Sequence, residues 1–461
     1  MEQITKPHCG ARLDRLPDCR WHSSMFAIVA FGLLVCWSNA VGGLILAQLK
    51  ALGWTDNSTT ATFSAITTAG MFLGALVGGI IGDKTGRRNA FILYEAIHIA
   101  SMVVGAFSPN MDFLIACRFV MGVGLGALLV TLFAGFTEYM PGRNRGTWSS
   151  RVSFIGNWSY PLCSLIAMGL TPLISAEWNW RVQLLIPAIL SLIATALAWR
   201  YFPESPRWLE SRGRYQEAEK VMRSIEEGVI RQTGKPLPPV VIADDGKAPQ
   251  AVPYSALLTG VLLKRVILGS CVLIAMNVVQ YTLINWLPTI FMTQGINLKD
   301  SIVLNTMSMF GAPFGIFIAM LVMDKIPRKT MGVGLLILIA VLGYIYSLQT
   351  SMLLITLIGF FLITFVYMYV CYASAVYVPE IWPTEAKLRG SGLANAVGRI
   401  SGIAAPYAVA VLLSSYGVTG VFILLGAVSI VVAIAGNDSN LLIVFYVQIM
   451  PDDFVMQLHR F

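Results

Sequence analysis

The sequence predicts an all-α polytopic membrane protein, with twelve transmembrane helices in two six-helix halves. Three observations carry that expectation. Of 461 residues, 56% are hydrophobic and only 12% charged, whereas soluble domains run about 25% charged. Apolar runs near the ~20 residues that cross a bilayer recur in two sets of six. The basic residues fall in alternate loops, as they do when one side of a membrane is cytoplasmic.

Residues 1–23 form a basic segment carrying Lys6, Arg12, Arg15 and Arg20, expected in the cytoplasm. The apolar run that follows is too long for a cleavable signal and has no obvious cleavage site, so it is expected to stay as the first span. The first half, 24–202, is expected to cross at 24–49, 63–82, 90–107, 112–136, 149–174 and 182–202. A cytoplasmic linker, 203–262, follows. Its first part places Leu209, Tyr215, Ala218, Met222, Ile225 and Val229 at helical spacing among charges, the pattern of an amphipathic helix at the membrane surface. The rest, "KPLPPVVIADDGKAPQAVP", reads as a connection. The second half, 263–436, is expected to cross at 264–292, 301–323, 331–349, 351–378, 391–415 and 417–436. The tail 437–461 is atypical: its apolar stretch 441–450 is too short to span and is expected along the interface, or to disturb insertion of the last span.

With the N-terminus in the cytoplasm, all but five of the 32 Lys and Arg residues face it. Lys50, Arg181 and Lys299 lie outside, and Arg118 and Arg399 within spans. Both termini are therefore expected in the cytoplasm of a multi-pass inner-membrane protein. The net charge of +8 follows from this bias and needs no nucleic-acid partner. The seven cysteines show no metal-ligand spacing, and no cofactor or metal is expected. The four histidines are scattered, so no catalytic cluster forms and an enzyme is not expected.

The halves echo each other at an offset of about 241 residues. "GDKTGRRNAF" after the second span returns as "MDKIPRKTMG" after the eighth, pairing Asp83 with Asp324 and Arg87 with Arg328. "TEYMPGRNRG" after the fourth returns as "PEIWPTEAKLRG" after the tenth, pairing Glu138 with Glu380 and Arg145 with Arg389. Parallel six-helix repeats imply a substrate site near the midplane between halves that rock around it. A small-molecule carrier in a lipid bilayer, acting as a monomer, is the expectation. A non-transporting membrane sensor or scaffold is the reading from a different class.

"GDKTGRR", "RFVMGVGLG", "PESPRWL" and "PEIWPTEAKLRG" together resemble the major facilitator superfamily from about residue 20 to 435. "PESPRWL" and the glutamates ending spans four and ten are similar to its sugar-porter branch, and the whole chain looks like the enterobacterial inner-membrane metabolite carriers assigned to that branch. The resemblance implies the major facilitator fold. It makes Asp83, Arg87, Arg88, Glu138, Arg145, Asp324, Arg328, Glu380 and Arg389 gate latches. The plainer reading is charged caps that obey membrane topology, although that leaves the recurring acids unexplained.

The candidate binding residues start in span seven, where Asn277, Tyr281 and Asn285 repeat at i, i+4, i+8 on one helix face, with Gln280 and Trp286 beside them. Amides and a phenol suit hydroxyl-rich or amide-bearing ligands, and they also serve as interhelical glue. The sugar-porter resemblance implies further amides here. This chain keeps Pro288-Thr289-Ile290-Phe291 but has Ala275-Met276 and Tyr281 at the amide positions, and Ala375 in place of a Trp. A simple hexose is therefore disfavoured. Asn157 in span five, Asn39 in span one and Tyr372 in the phenolic span ten complete the polar candidates. In span eleven Arg399 lies about 14 Å deep on a spanning helix, with Asn395 one turn before it. "GRISGIAAPY" resembles the organic-ion and niacin permease branches, which implies an arginine that meets an anionic substrate. A structural partner in span ten is the alternative.

Proton-coupled relatives often carry an acid in span one; here that stretch is "LLVCWSNAVGGL", without a carboxylate. Glu95 and His98, one turn apart in span three, are the remaining titratable pair and the candidates for coupling, with Arg118 of span four given a conformational role. At about 9 Å from the boundary, Arg118 could also snorkel to the surface. The expected function is secondary active, proton-coupled uptake of a sugar derivative or sugar acid by alternating access. A non-sugar carboxylate or aromatic acid is the alternative substrate.

Overall fold

Helix satisfies every backbone N–H and C=O within its own segment, which lipid demands, and it is the regular structure throughout the described residues. The computed structural model describes residues 7–17, 19–141, 145–240, 253–323, 325–382 and 386–437. In chain order the helices are α1 (Cys9–Asp14), α2 (Arg20–Val35), α3 (Gly42–Ala51), α4 (Asn57–Thr85), α5 (Arg87–Ala106), α6 (Met111–Tyr139), α7 (Arg145–Asn157), α8 (Ser159–Leu170), α9 (Ala176–Tyr201), α10 (Pro206–Ser211) and α11 (Tyr215–Thr233). Then come α12 (Tyr254–Leu257), α13 (Gly260–Thr293), α14 (Leu298–Met309), α15 (Gly311–Val322), α16 (Arg328–Ser347), α17 (Met352–Cys371), a π-helical segment Tyr372–Tyr377, α18 (Val378–Glu380) and α19 (Lys387–Asn437).

Nine helices among the described residues are long and apolar enough to cross a membrane. One of them, Arg389–Ile434, would measure about 69 Å, more than twice a bilayer core. It turns at Gly417, whose φ of 65° and ψ of −160° interrupt the helix, so it supplies two crossings. Together with two interrupted spans, these helices are consistent with twelve crossings.

The first expected span is not one helix. α2 stops at Val35 and α3 starts at Gly42, leaving Cys36–Val41 outside regular helix. Ser38 and Asn39 offer the backbone polar partners that compete with helix. The fifth span breaks at Trp158 between α7 and α8. There Asn157 turns its amide back to Ser153 O at 2.8 Å, and Pro161 can donate no ladder bond.

The chain forms two compact units, one of Met1–Val41 with Ile66–Gly246, the other of Gly42–Ala65 with Lys247–Phe461. In the first, α4 and α6 touch through glycine: a Cβ on Gly122 would overlap Thr67 O, and one on Gly126 would overlap Met71 O. Such small-residue seams replace the hydrophobic effect as the means of joining helices in lipid. The first unit also holds α1 against α10 and α11. Cys9, Leu13 and Leu16 pack on Trp208, Leu209, Ala218, Met222, Ile225 and Val229. Arg12 pairs with Glu219 and Glu226, and Arg15 with Glu226 at 2.7 Å.

In the second unit α13 is buried around almost its whole girth from Leu268 to Phe291. It packs on α19 and α3. A Cβ on Gly43 would overlap Ile284 O, so α3 and α13 meet backbone to backbone. The glycine seam of the first unit recurs here, with Gly311 against Phe360 O and Gly315 against Thr364 O. The expectations for Asp324, the side chain of Arg145, residues 241–252 of the linker and the tail after 437 lie outside the described residues.

Candidate functional site

The duplicated charged loops form the same pair in each unit. In the first, Arg87 at the start of α5 donates Nε to Glu138 Oε1 at 2.9 Å and Nη1 to Asp83 Oδ1 at 2.7 Å. In the second, Arg328 grips Glu380 with two parallel bonds, Nε to Oε2 at 3.0 Å and Nη2 to Oε1 at 3.1 Å, and also donates to Met323 O. The fork matches the planar guanidinium to the carboxylate. Arg389 is partly buried at the start of α19.

Two partners in the first unit were not among the sequence candidates. Glu204 caps α5, its Oε1 accepting from the Arg87 N–H at 2.7 Å and the Arg88 N–H at 3.3 Å. Its negative charge sits at the positive end of the helix dipole. Gly86, with φ 97°, has no side chain to block it. Trp208 Nε1 donates to Asp83 O at 2.7 Å, and Arg88 Nη2 to Trp199 O. The signal was "PESPRWL", which contains Glu204 and Trp208, but a motif alone does not say what its acid caps.

The coupling candidates, separate in sequence, form one buried chain. Arg118 is 1% exposed, so it does not snorkel. Its Nη1 donates to the main-chain oxygen of Ser38 at 2.7 Å and its Nε to Thr67 Oγ1 at 3.2 Å. The hydroxyl of Ser38 lies 2.7 Å from His98 Nε2, and His98 Nδ1 lies 3.4 Å from Glu95 Oε2. Ser38, Glu95 and His98 are fully buried. Gly124 lets α6 come close enough that a Cβ there would sit 3.0 Å from His98 N. Asn39 follows Ser38 in the same break and is partly buried, as is Asn157 at the end of α7.

In the second unit Asn277, Tyr281 and Asn285 lie on one face of α13, all buried. Asn277 donates to Leu273 O at 2.7 Å. Gly398 of α19 packs here, its added Cβ falling 2.8 Å from Leu273 Cβ and 3.0 Å from Asn277 Nδ2; Arg399 is the next residue along α19, turned about 100° from that contact. Among the described residues Arg399 makes no hydrogen bond or ion pair, and its buried Nη1 has no partner. Asn395 is exposed and bonds back to Ser391 O at 2.9 Å, and Gln280 is partly buried.

Two candidates are placed elsewhere. Trp286 is fully buried in a cluster with Ala61, Ile290, Val409, Leu413 and Val421, so it packs helices together instead of lining a polar surface; its position one residue past Asn285 turns it to another face. Tyr372 stacks on Tyr377 at 5.2 Å and lies 5.8 Å from Tyr369. These three rings line a small pocket with Lys329 and Gly332 that shares no lining residue with the Asn277 face or Arg399.

Two helical units that each carry an Arg–Glu pair, with polar groups held inside apolar spans, fit a multi-pass membrane transport protein. The chain belongs to the Major Facilitator Superfamily, whose family model matches residues 26–406. It is 44% identical to the inner membrane metabolite transport protein YdjE of Escherichia coli (strain K12), over 94% of this chain and 95% of that one. It is 25% identical to the niacin transporter NiaP of Acinetobacter baylyi (strain ATCC 33305 / BD413 / ADP1), over 93% and 97%. In fold it is similar to the partially occluded inward-open xylose transporter XylE from E. coli, with a TM-score of 0.71 at 17% identity, covering 90% of this chain and 97% of that one.

Proposed function

We propose that this metabolite transporter is a secondary active carrier that takes up a small polar acid, a sugar acid or acidic sugar derivative, by alternating access coupled to protons. In this reading it acts as a monomer in the inner membrane with both termini in the cytoplasm, and performs no covalent chemistry. The observation that carries the substrate class is Arg399. A guanidinium inside an apolar span without a protein partner is costly unless an anion or water completes it. A substrate carboxylate would meet its fork bidentately, while Asn277, Tyr281 and Asn285 offer groups for hydroxyls.

The likeness to a niacin transporter over almost the whole chain supports a second reading, an aromatic acid. The two are separated by uptake into proteoliposomes under an inward proton gradient, with D-glucuronate, D-gluconate and nicotinate as probes. Accumulation of a sugar acid is expected, and accumulation of nicotinate alone selects the second reading. If neither class is carried, acid uptake is wrong. Arg399→Lys keeps the charge but loses the fork, and is expected to raise KM for the transported acid at least tenfold. Wild-type kinetics in that variant would overturn carboxylate binding at Arg399.

A further inference from the structure

We propose that His98, with Glu95 and Ser38, is the proton-binding site, and that protonation of its imidazole rewires the break in the first span. The proposal rests on the proton-coupled reading above.

Both ring nitrogens of His98 are engaged, by Glu95 Oε2 on one side and the Ser38 hydroxyl on the other. In the neutral ring one nitrogen donates and the other accepts. A carboxylate can only accept, so the tautomer that satisfies both contacts carries its hydrogen on Nδ1, and Nε2 accepts from the Ser38 O–H. Protonation forms an N–H bond at Nε2 as an O–H bond of hydronium breaks, leaving water and moving one positive charge to the imidazole. Nε2 then donates, Ser38 Oγ must accept, and the hydroxyl hydrogen must turn to a different acceptor.

Ser38 is therefore the point of transmission. It stands in the non-helical stretch Cys36–Val41, its carbonyl is fixed by Arg118, and Asn39 follows it. A change of hydrogen-bond sense at its hydroxyl acts on the one part of this span whose backbone is not locked in a helical ladder.

Few other charges face the imidazole. Its own helix presents Glu95, whose Oε1 is buried without a partner, and Tyr94, which bonds Gly78 O. The break presents Cys36, within electrostatic reach of Glu95. α6 presents Arg118, with Cys117 beside it. α9, also packed on α5, carries no titratable side chain between Arg181 and Arg200. With Glu95 ionised and Arg118 charged, the cluster is neutral when His98 is neutral and gains one positive charge on proton uptake.

The test uses the full-length protein with isotope-labelled histidine in lipid nanodiscs. Only four histidines are present, and His98→Gln identifies the His98 signal; if that variant does not fold, Ser38→Ala identifies it by a selective shift. The other histidine signals report folding. The His98 signal is followed between about pH 5 and 9 and is expected to report proton uptake at Nε2, with Glu95→Gln moving the midpoint of that change through loss of a neighbouring negative charge. An imidazole that keeps one protonation state over that range, or a midpoint indifferent to Glu95→Gln, overturns the site.

In proteoliposomes, Ser38→Ala is expected to reduce the stimulation of D-glucuronate or nicotinate uptake by a proton gradient to about onefold. Full stimulation in Ser38→Ala would overturn the transmission through Ser38. If the wild type carries neither probe, the functional reading has failed, and the titration still decides whether His98 binds the proton.

Discussion

A buried arginine is read differently according to what it touches, and the two in-span arginines show the range. Arg118 is tied to Ser38 O and Thr67, so it organises protein. Arg399 has a buried nitrogen with no partner, the observation on which its proposed role at the substrate carboxylate rests. The sequence could place both inside spans by counting from a boundary, yet it could not tell them apart, because their partners come from α2's end and α4 in one case and from no described residue in the other. Glu204 was legible only as part of a motif. Its role at the start of α5 predicts that Glu204→Ala exposes two helix N–H groups. Loss of a cap costs about 0.5–2 kcal/mol, read as a lower thermal midpoint, while Glu204→Asp should lose less. An unchanged midpoint in the alanine variant would mean that water caps the helix equally well.

Elements were legible where their apolar period was long, and less so where they break. α4, α5, α6, α9, α13 and α16 match the expected spans to within a few residues at most ends. The interruptions at Cys36–Val41 and Trp158 were not foreseen, since hydropathy counts apolar residues and does not weigh a Ser-Asn pair that competes for backbone bonds. The glycines of "RFVMGVGLG" form the α4–α6 seam, where even the Cβ of a Gly126→Val side chain would overlap Met71 O. Overpacking of this kind costs about 1–3 kcal/mol or more, so poor yield and early unfolding are expected, whereas Gly169→Ala, which meets open space, should be silent.

The α1 contact is electrostatic as well as apolar. Burial raises the pKa of Glu226 and Glu219, but the arginine bonds outweigh it and hold both below the usual carboxylate range. A depressed folded value stabilises above the unfolded pKa. The contribution is therefore complete at neutral pH and lost as pH falls below about 4.3 through the lowered folded value. Hydrogen exchange at residues 9–16, corrected for intrinsic rates, should accelerate in acid more than exchange in α11. Burial first, and Glu210 next, push the Cys9 thiol up to about 12. Alkylation at pH 8 should be slow, and Arg12→Ala should speed it at least tenfold by loosening α1.

For the whole molecule, the duplicated loops were the most legible feature, because a repeat in sequence needs no structure to be seen. The repeat matched Arg87 to Arg328 and Glu138 to Glu380 across the halves, and the structure adds which acid each arginine takes, Glu138 for Arg87 and Glu380 for Arg328. If these pairs are latches, Glu138→Gln with Glu380→Gln should shift the balance between inward and outward accessibility, read by cysteine labelling from each side of the membrane. Unchanged labelling together with unchanged uptake would reduce them to topology signals.

The π-helical segment Tyr372–Tyr377 bears on the Arg328–Glu380 pair through phase. A π turn holds one residue more than an α turn, and each residue advances a helix by about 100°. Glu380 thus points where it does because of a residue that an ordinary helix would not hold. Relaxed to α-helix at unchanged length, the segment would turn Glu380 by about a quarter turn away from Arg328, so deleting Ser374 should restore the phase and leave the Arg328–Glu380 pair able to form. One surplus residue in span ten works as an angular offset, and the matching end of α6, without such a turn, reaches its own arginine by a different path.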